Sequence, residues 1–467
     1  MLMHLLFPTQ KKNSMDNLCF YVFGVITFFN MEMLFIASQD ILSGRNLPTA
    51  TILVCYVTPL MITKIFAPWF VQRISYLVKV SFIALWMMLG MALIVFVEDI
   101  RVKLVGITLN AMAAGMSEVI FLALTSFYPQ IAISSFLAGT GSASLISQLY
   151  YTIFIGNGVG LSRDQQSIKK GLQKIDSHLT ANEGVSYFRA GVTTWSCAES
   201  PKTAIMIVIP LPLSILVSYA MLDKGDISNG EGLGTKVVKK AKYTAVSMDE
   251  LLIPSQRLSY GEKFRIGRKI ICFIIPLFFS FFAEYLANSS VITTIAFPNS
   301  QVLPRDHFLY YSLSYCTGKF LGRSYLLLFA WLSKDLTEFL FCDRTWIFAV
   351  LEIVLLIFFL FQSWYHFVSF IWIIVCLCFT LGLVSGMIYL HSPHAVARHV
   401  EPEEKEFALG LITVGNSVGA FVGGLVGLIV ESYLVENCVA QFSNSKEFCF
   451  TRHKNTSGWG SNIHCSQ

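Results

Sequence analysis

The sequence has little charge: only 13% of its 467 residues are Asp, Glu, Lys or Arg, while 54% are hydrophobic. A soluble globular protein carries about 25% charged residues, so this chain lacks the polar residues to cover a water-facing surface. Apolar runs of about 20 residues, each long enough to cross a hydrocarbon core of about 30 Å, recur along most of the chain. Because backbone groups in lipid must satisfy one another, these runs predict an all-α, polytopic membrane protein.

Several catalytic and metal motifs are also missing. The sequence has no Walker A, G-x-G-x-x-G, G-x-S-x-G or H-E-x-x-H pattern, which argues against an ATP-driven pump and against an enzyme. The eleven cysteines are scattered, and Cys376 and Cys378 have no metal-ligand spacing. We interpret His391, His394 and His399 as solvated residues of a polar connection. We therefore expect no cofactor and no metal.

The chain divides into two groups of predicted spans around a basic loop. The spans are 18–42, 49–71, 76–97, 102–128, 131–156 and 203–222, then 269–297, 307–332, 345–361, 366–390 and 407–430. Lys and Arg next to membrane ends mark the loop as cytoplasmic, and six preceding spans place the N-terminus on the same side. The net charge of +5 reflects this topology signal, so no nucleic-acid partner is expected.

We expect about eleven transmembrane helices in two halves, which is the plan of the major facilitator architecture. The predicted regions are an N-terminal half (1–222), a cytoplasmic basic loop (223–268), a C-terminal half (269–431) and a polar tail (432–467).

The candidate site residues are ionisable side chains inside the predicted spans: Lys64, Glu118, Glu284, Lys319 and Arg323. A charge at the bilayer centre costs about 2.5–3.5 kcal/mol on insertion scales, so such residues mark a polar site between helices. Lys319 and Arg323 lie four residues apart and predict a cationic patch suited to phosphate or carboxylate. Glu118 and Glu284 are candidate proton carriers. Alternatively, Glu284 forms a static ion pair with Arg323 or Lys319, and Lys64 is a plausible partner of Glu118.

Small residues predict close helix contacts. The eleventh span has a glycine at every fourth position, namely Gly415, Gly419, Gly423 and Gly427. These glycines form a stripe along one helix face, which predicts packing against another helix. Gly139 and Gly141 in the fifth span predict close packing too, or a place where a substrate reaches the backbone.

A set of short segments is distributed over most of the membrane portion. They are FIASQDIL (35–42), ITKIFAPW (62–69), SEVIFLALTSFYP (117–129) followed by SSFLAGTGSASL, FFAEYLAN (281–288), GRS (322–324) and EEKEFALG (403–410). In these segments the chain resembles the battenin family of lysosomal membrane proteins. The resemblance implies a major-facilitator-like fold in the lysosomal or late-endosomal membrane. It also implies roles in glycerophosphodiester clearance and in lysosomal pH and basic amino-acid homeostasis.

The resemblance is incomplete in three places. Residues 165–200 and 325–342 look inserted relative to the family, and Cys465 stands third from the end, so the chain has no prenylation box. We expect a transporter in a lipid bilayer with a small anionic or amino-acid substrate. The alternative is a non-transporting scaffold in endolysosomal trafficking, which would bind trafficking adaptors through loop 223–268. Within that loop, DELLIP (249–254) resembles an acidic di-leucine sorting signal.

Overall fold

The computed structural model describes residues 11–41, 50–70, 74–155, 200–222, 258–297, 300, 304–330, 339–441, 449 and 459. Within these residues all regular structure is helical, and eleven membrane helices are formed. They are α1 (Lys11–Ile36), α2 (Ala50–Phe70), α3 (Tyr76–Phe96), α4 (Ile100–Leu124), α5 (Ile131–Ile155), α6 in two parts (Pro201–Val208 and Leu213–Met221), α7 (Tyr260–Leu286), α8 (Pro304–Ala330), α9 (Trp346–Tyr365), α10 (Ile371–His399) and α11 (Lys405–Gln441).

Local sequence explains several helix ends. The Asp99 side chain accepts a hydrogen bond from the Arg101 backbone N–H at 2.9 Å and caps α4. The Glu262 carboxylate accepts the Ser259 backbone N–H at 2.6 Å at the start of α7. The two parts of α6 are separated by a turn that contains two prolines, which lack the N–H that a continuous helix requires.

The helices pack in the same pattern in both halves. Helix α1 packs against α5 as α7 packs against α11, and α2 packs against α4 as α8 packs against α10. The two halves meet through α5 with α8 and through α2 with α11. Within the described residues, nine helices are long and apolar enough to cross a membrane. The other two, α5 and α8, are richer in polar side chains, and they contact each other between the halves.

The predicted glycines lie where helices approach most closely. A Cβ on Gly415 would stand 2.7 Å from the Ile274 carbonyl oxygen of α7, and one on Gly423 would stand 2.7 Å from the Phe282 oxygen. Gly419 and Gly427 also face α7 and the turn that continues it. In α5, Gly139 lies against α1, whereas Gly141 lies against α8. The stripe in α11 therefore joins two helices of one half, while Gly141 serves the contact between halves.

Several predicted boundaries differ from the structure, most of all in α7, α10 and α11. Helix α7 begins at Tyr260, so residues 260–268 of the predicted loop are helical. Helix α11 continues to Gln441, into the predicted polar tail, and a Cys438–Cys449 disulfide follows it. Helix α10 continues through the expected polar connection to His399. Residues 156–199, 223–257 and 331–338, which include DELLIP, lie outside the described residues.

Candidate functional site

A buried ion pair connects α2 to α4. Lys64 Nζ lies 2.6 Å from Glu118 Oε2, and both side chains are almost fully buried. The other oxygen of Glu118 accepts hydrogen bonds at 2.8 Å from Tyr389 Oη of α10 and from Asn416 Nδ2 of α11. Lys64 Nζ also donates to Asn416 Oδ1 at 3.2 Å. These four residues form the Lys64–Glu118 cluster, which joins two helices of each half.

A second group of charges surrounds Lys319 of α8. Its Nζ lies 3.3 Å from Glu32 Oε1 of α1 and 3.3 Å from Glu284 Oε1 of α7. The carboxylates accept further hydrogen bonds from the hydroxyl groups of Ser144, Tyr315 and Ser385. We call Glu32, Glu284 and Lys319 the Lys319 cluster. It holds two carboxylates and one ammonium group, and it also links both halves.

Arg323 lies between the two clusters and is fully buried. Its Nη1 donates to Thr140 Oγ1 of α5 at 2.9 Å, and the guanidinium carbon lies 4.1 Å from the centre of the Tyr389 ring and 5.4 Å from that of Phe28. The Nε and Nη2 atoms have no hydrogen-bond partner within the described part of the chain. Buried N–H groups without acceptors are costly. These two atoms form one edge of the guanidinium, the edge that binds an oxyanion through two parallel hydrogen bonds.

The Lys319 cluster, Arg323 and the Lys64–Glu118 cluster follow one another along α8 and α10. On α10, Ser385 donates to Glu284, and Tyr389, one turn later, donates to Glu118. On α8, Lys319 and Arg323 are likewise one turn apart. The Tyr389 side chain contributes to two groups, since its hydroxyl donates to Glu118 while its ring lies against the guanidinium. A ligand at Arg323 would therefore lie between two ion-paired clusters.

The five predicted ionisable residues are all buried, and the surroundings of Lys319 differ from those of Arg323. The Lys319 ammonium group is shared by two carboxylates, and the described ion pairs include none with Arg323. The expected patch of Lys319 with Arg323 stays a prediction: Lys319 is paired with two carboxylates, whereas two donors of Arg323 have no hydrogen-bond partner in the described part of the chain. Glu284 pairs with Lys319, which is one of the two partners considered.

Other site residues carry little sequence signal. Asn416 directly follows the first glycine of the α11 stripe, and nothing else in the sequence distinguishes it. Tyr389 cannot be distinguished in the sequence from other aromatic residues of an apolar helix. Thr140 stands between Gly139 and Gly141. These glycines predicted close helix packing at this position, but they did not predict that Thr140 accepts a hydrogen bond from Arg323.

The interpretation of the histidines as solvated loop residues is wrong, because all three lie in α10 and two of them are buried. His391 and His394 lie in α10 and are buried. His391 hydrogen-bonds to Tyr325 of α8, and His394 Nε2 lies 2.9 Å from Ser134 Oγ of α5. The helix continues past its internal proline because neighbouring helices pack around it, as they do for proline in other membrane helices. In the described segments, no group of three or more His, Cys, Asp or Glu side chains could hold a metal ion.

Comparison with known proteins gives a consistent result. The chain matches the family described as CLN3 protein over residues 18–169 and 184–437. It is 25% identical to Protein btn-1 of Neurospora crassa, over 92% of this chain and 90% of the relative. It is 24% identical to battenin of Canis lupus familiaris, over 84% of this chain and 78% of the relative.

Solved structures of the same fold are transporters. The human organic anion transporter MFSD10 aligns with a TM-score of 0.52 and 11% identity, over 95% of this chain and 97% of that one. The major facilitator superfamily transporter FucP in the outward conformation aligns with a TM-score of 0.50 and 14% identity, over 91% and 98%. At such identities the likeness shows the fold alone. The predicted all-α, two-half, major-facilitator-like fold is confirmed.

Proposed function

The chain belongs to the CLN3 protein family, and from this premise we propose that it is a secondary transporter of small organic phosphates. Its fold is shared with solved membrane transporters, which supports the proposal. The proposed substrates are glycerophosphodiesters, and the proposed location is the lysosomal or late-endosomal membrane. Export of such products would in turn affect lysosomal pH and the balance of basic amino acids.

The observation that carries this proposal is the free edge of the Arg323 guanidinium. A phosphodiester has one negative charge shared by two non-bridging oxygens, and these match the Nε and Nη2 donors that lack partners. The site is buried, so the electrostatic attraction is stronger than in water. The neighbouring rings of Phe28 and Tyr389 hold the guanidinium in place.

The test is uptake of radiolabelled glycerophosphoinositol by liposomes that contain the purified protein. Hydrogen bonds to a charged group contribute about 1.5–3 kcal/mol, so Arg323→Gln should reduce uptake by about 10- to 100-fold. Arg323→Lys keeps the charge but loses the two-donor edge and should restore only part of it. The control is Arg265→Gln, because the Arg265 side chain is 72% exposed and pairs with Glu404. Unchanged uptake in Arg323→Gln removes this residue from the mechanism.

Delivery to the proposed membrane is a separate matter. We propose that trafficking adaptors bind the loop at 223–268, where DELLIP lies. The non-transporting scaffold would need this loop for its whole function, whereas the transporter needs it for delivery only. Replacing residues 223–257 by a neutral linker should therefore leave uptake by liposomes unchanged. Loss of uptake in that variant, with its folding intact, would contradict the proposal that the loop serves delivery and not transport.

A further inference from the structure

Glu352 of α9 is a buried acid outside both clusters. The side chain is 0% exposed, and neither carboxyl oxygen has a hydrogen-bond partner among the described residues. It lies on the inward face of α9 together with Ala349, Leu356 and Phe359. The described ion pairs place a lysine beside Glu118 and beside Glu284, but none includes Glu352. It differs in this respect from the two candidate proton carriers that the sequence indicates.

The surroundings of Glu352 connect it to the centre of the molecule. The charges that act on it are those of Glu284 and Lys319, and Ser280 of α7 is its polar neighbour. Ser280 lies one turn before Glu284 on α7, so the two face the same side of that helix. Helix α9 also packs against α10 and α11.

Two titratable groups that α10 and α11 bring to α9 lie one turn or more from Glu352. From α10, His391 stacks on Phe348, one turn before Glu352, with ring centres 5.4 Å apart. From α11, Tyr433 lies 5.2 Å from Trp364, at the other end of α9. Neither contact reaches the carboxyl group of Glu352, so its electrostatic link is to the Lys319 cluster.

We propose that Glu352 is a proton-binding site that couples a proton to the anion bound at Arg323. An ionised carboxylate buried without a cation is strongly disfavoured, whereas the neutral acid is disfavoured far less. Loss of the proton to solvent would add a negative charge next to Glu284 and would disfavour a bound anion. Gain of a proton from solvent removes that charge, so proton and anion bind together. The anion part of this inference rests on the proposed function; the proton site does not.

The proton site is tested without any substrate by dicyclohexylcarbodiimide, which reacts with protonated carboxyl groups in apolar surroundings. The full-length wild-type protein is treated in lipid nanodiscs and its peptides are examined by mass spectrometry. We expect the N-acylurea adduct on Glu352 and not on Glu118 or Glu284, since these two pair with lysines. No Glu352 adduct, or an adduct on Glu284 alone, overturns the proposal. This measurement needs no variant that might fail to fold.

The coupling is tested by uptake of glycerophosphoinositol with and without an inward proton gradient. Glu352→Gln imitates the neutral acid in shape and is expected to fold. It should lose the acceleration by the gradient while it keeps exchange of labelled against unlabelled compound. The control is Glu436→Gln at an exposed position of α11. Gradient-driven uptake that survives in Glu352→Gln overturns the coupling. Absence of all uptake by the wild-type protein would instead overturn the proposed substrate. The labelling of Glu352 would then still support the proton site, because that experiment uses no substrate.

Discussion

At the scale of single residues, the buried charges are stabilised in different ways. In the Lys64–Glu118 cluster, each carboxylate oxygen has a donor, and the ammonium group has two acceptors. Such additional hydrogen bonds make a buried ion pair tolerable, because desolvation otherwise exceeds the Coulombic gain. Arg323 instead relies on one hydroxyl and two aromatic rings, so it keeps donors for a ligand.

Removal of one partner from the first cluster should therefore be costly. Lys64→Met leaves the Glu118 carboxylate buried without its cation, and we expect a loss of about 3–5 kcal/mol of unfolding free energy. The control is Lys269→Met, because the Lys269 side chain is 41% exposed in its 3.1 Å pair with Glu404 and such pairs contribute about 0–1 kcal/mol. Thermal unfolding in detergent measures both, and the double variant Lys64→Met with Glu118→Gln should recover most of the loss. Equal losses in the two single variants would contradict this account.

At the scale of helices, the glycine stripe sets the distance between α7 and α11. Its effect comes from backbone atoms, since the nearest neighbours of Gly415 and Gly423 are carbonyl oxygens of α7. A carbonyl group in a helix cannot rotate away as a side chain can. The same contact is possible between lipid-embedded helices because small residues let backbones approach closely.

One methyl group should therefore have opposite effects at two glycines of α11. Gly423→Ala places Cβ 2.7 Å from the Phe282 carbonyl oxygen and should cost about 1–3 kcal/mol through overpacking. Gly410→Ala places Cβ 3.4 Å from a side-chain methyl of Val119, an ordinary contact, and should gain up to about 1 kcal/mol of helix propensity. Melting temperatures in detergent compare the two. The explanation fails if Gly423→Ala is as stable as Gly410→Ala.

Helix existence could be predicted from the sequence, but helix ends and partners could not. Hydropathy finds the part of a helix that contacts lipid, so it missed the polar start of α7 and the last turns of α10. His391 and His394 looked solvated because their polarity was visible while the helices around them were not. The pair of Lys319 with Glu284 was one of the alternatives that the sequence offered, whereas the second partner, Glu32, was not, because it lies far away in the chain. The spacing of one glycine at every fourth residue predicted a packed helix face. Nothing in the sequence predicted that α7 is the helix that packs against it.

At the scale of the whole molecule, contacts at one end join the two halves in addition to the central clusters. Tyr76 Oη donates to Glu406 Oε1 at 2.6 Å, and Lys263 Nζ donates to the Trp69 carbonyl oxygen at 3.0 Å. Both lie where odd-numbered helices begin and even-numbered helices end, which is the predicted cytoplasmic side. The disulfide after α11 lies at the opposite end, as expected of an oxidising compartment.

The contact between Ser134 and His394 lies on the same predicted cytoplasmic side and joins α5 of one half to α10 of the other at 2.9 Å. If transport requires the halves to separate there, a covalent link at this point must stop it. Ser134→Cys with His394→Cys, joined by a short bis-methanethiosulfonate in a chain whose free cysteines are serine, should lose glycerophosphoinositol uptake and regain it after reduction. The matched control is Thr294→Cys with Ser363→Cys, because those hydroxyls lie 2.5 Å apart within the second half. Rigid-body rocking leaves contacts inside a half intact, so the control should transport normally when cross-linked. Full uptake in the cross-linked first pair would show that the halves need not part at this contact.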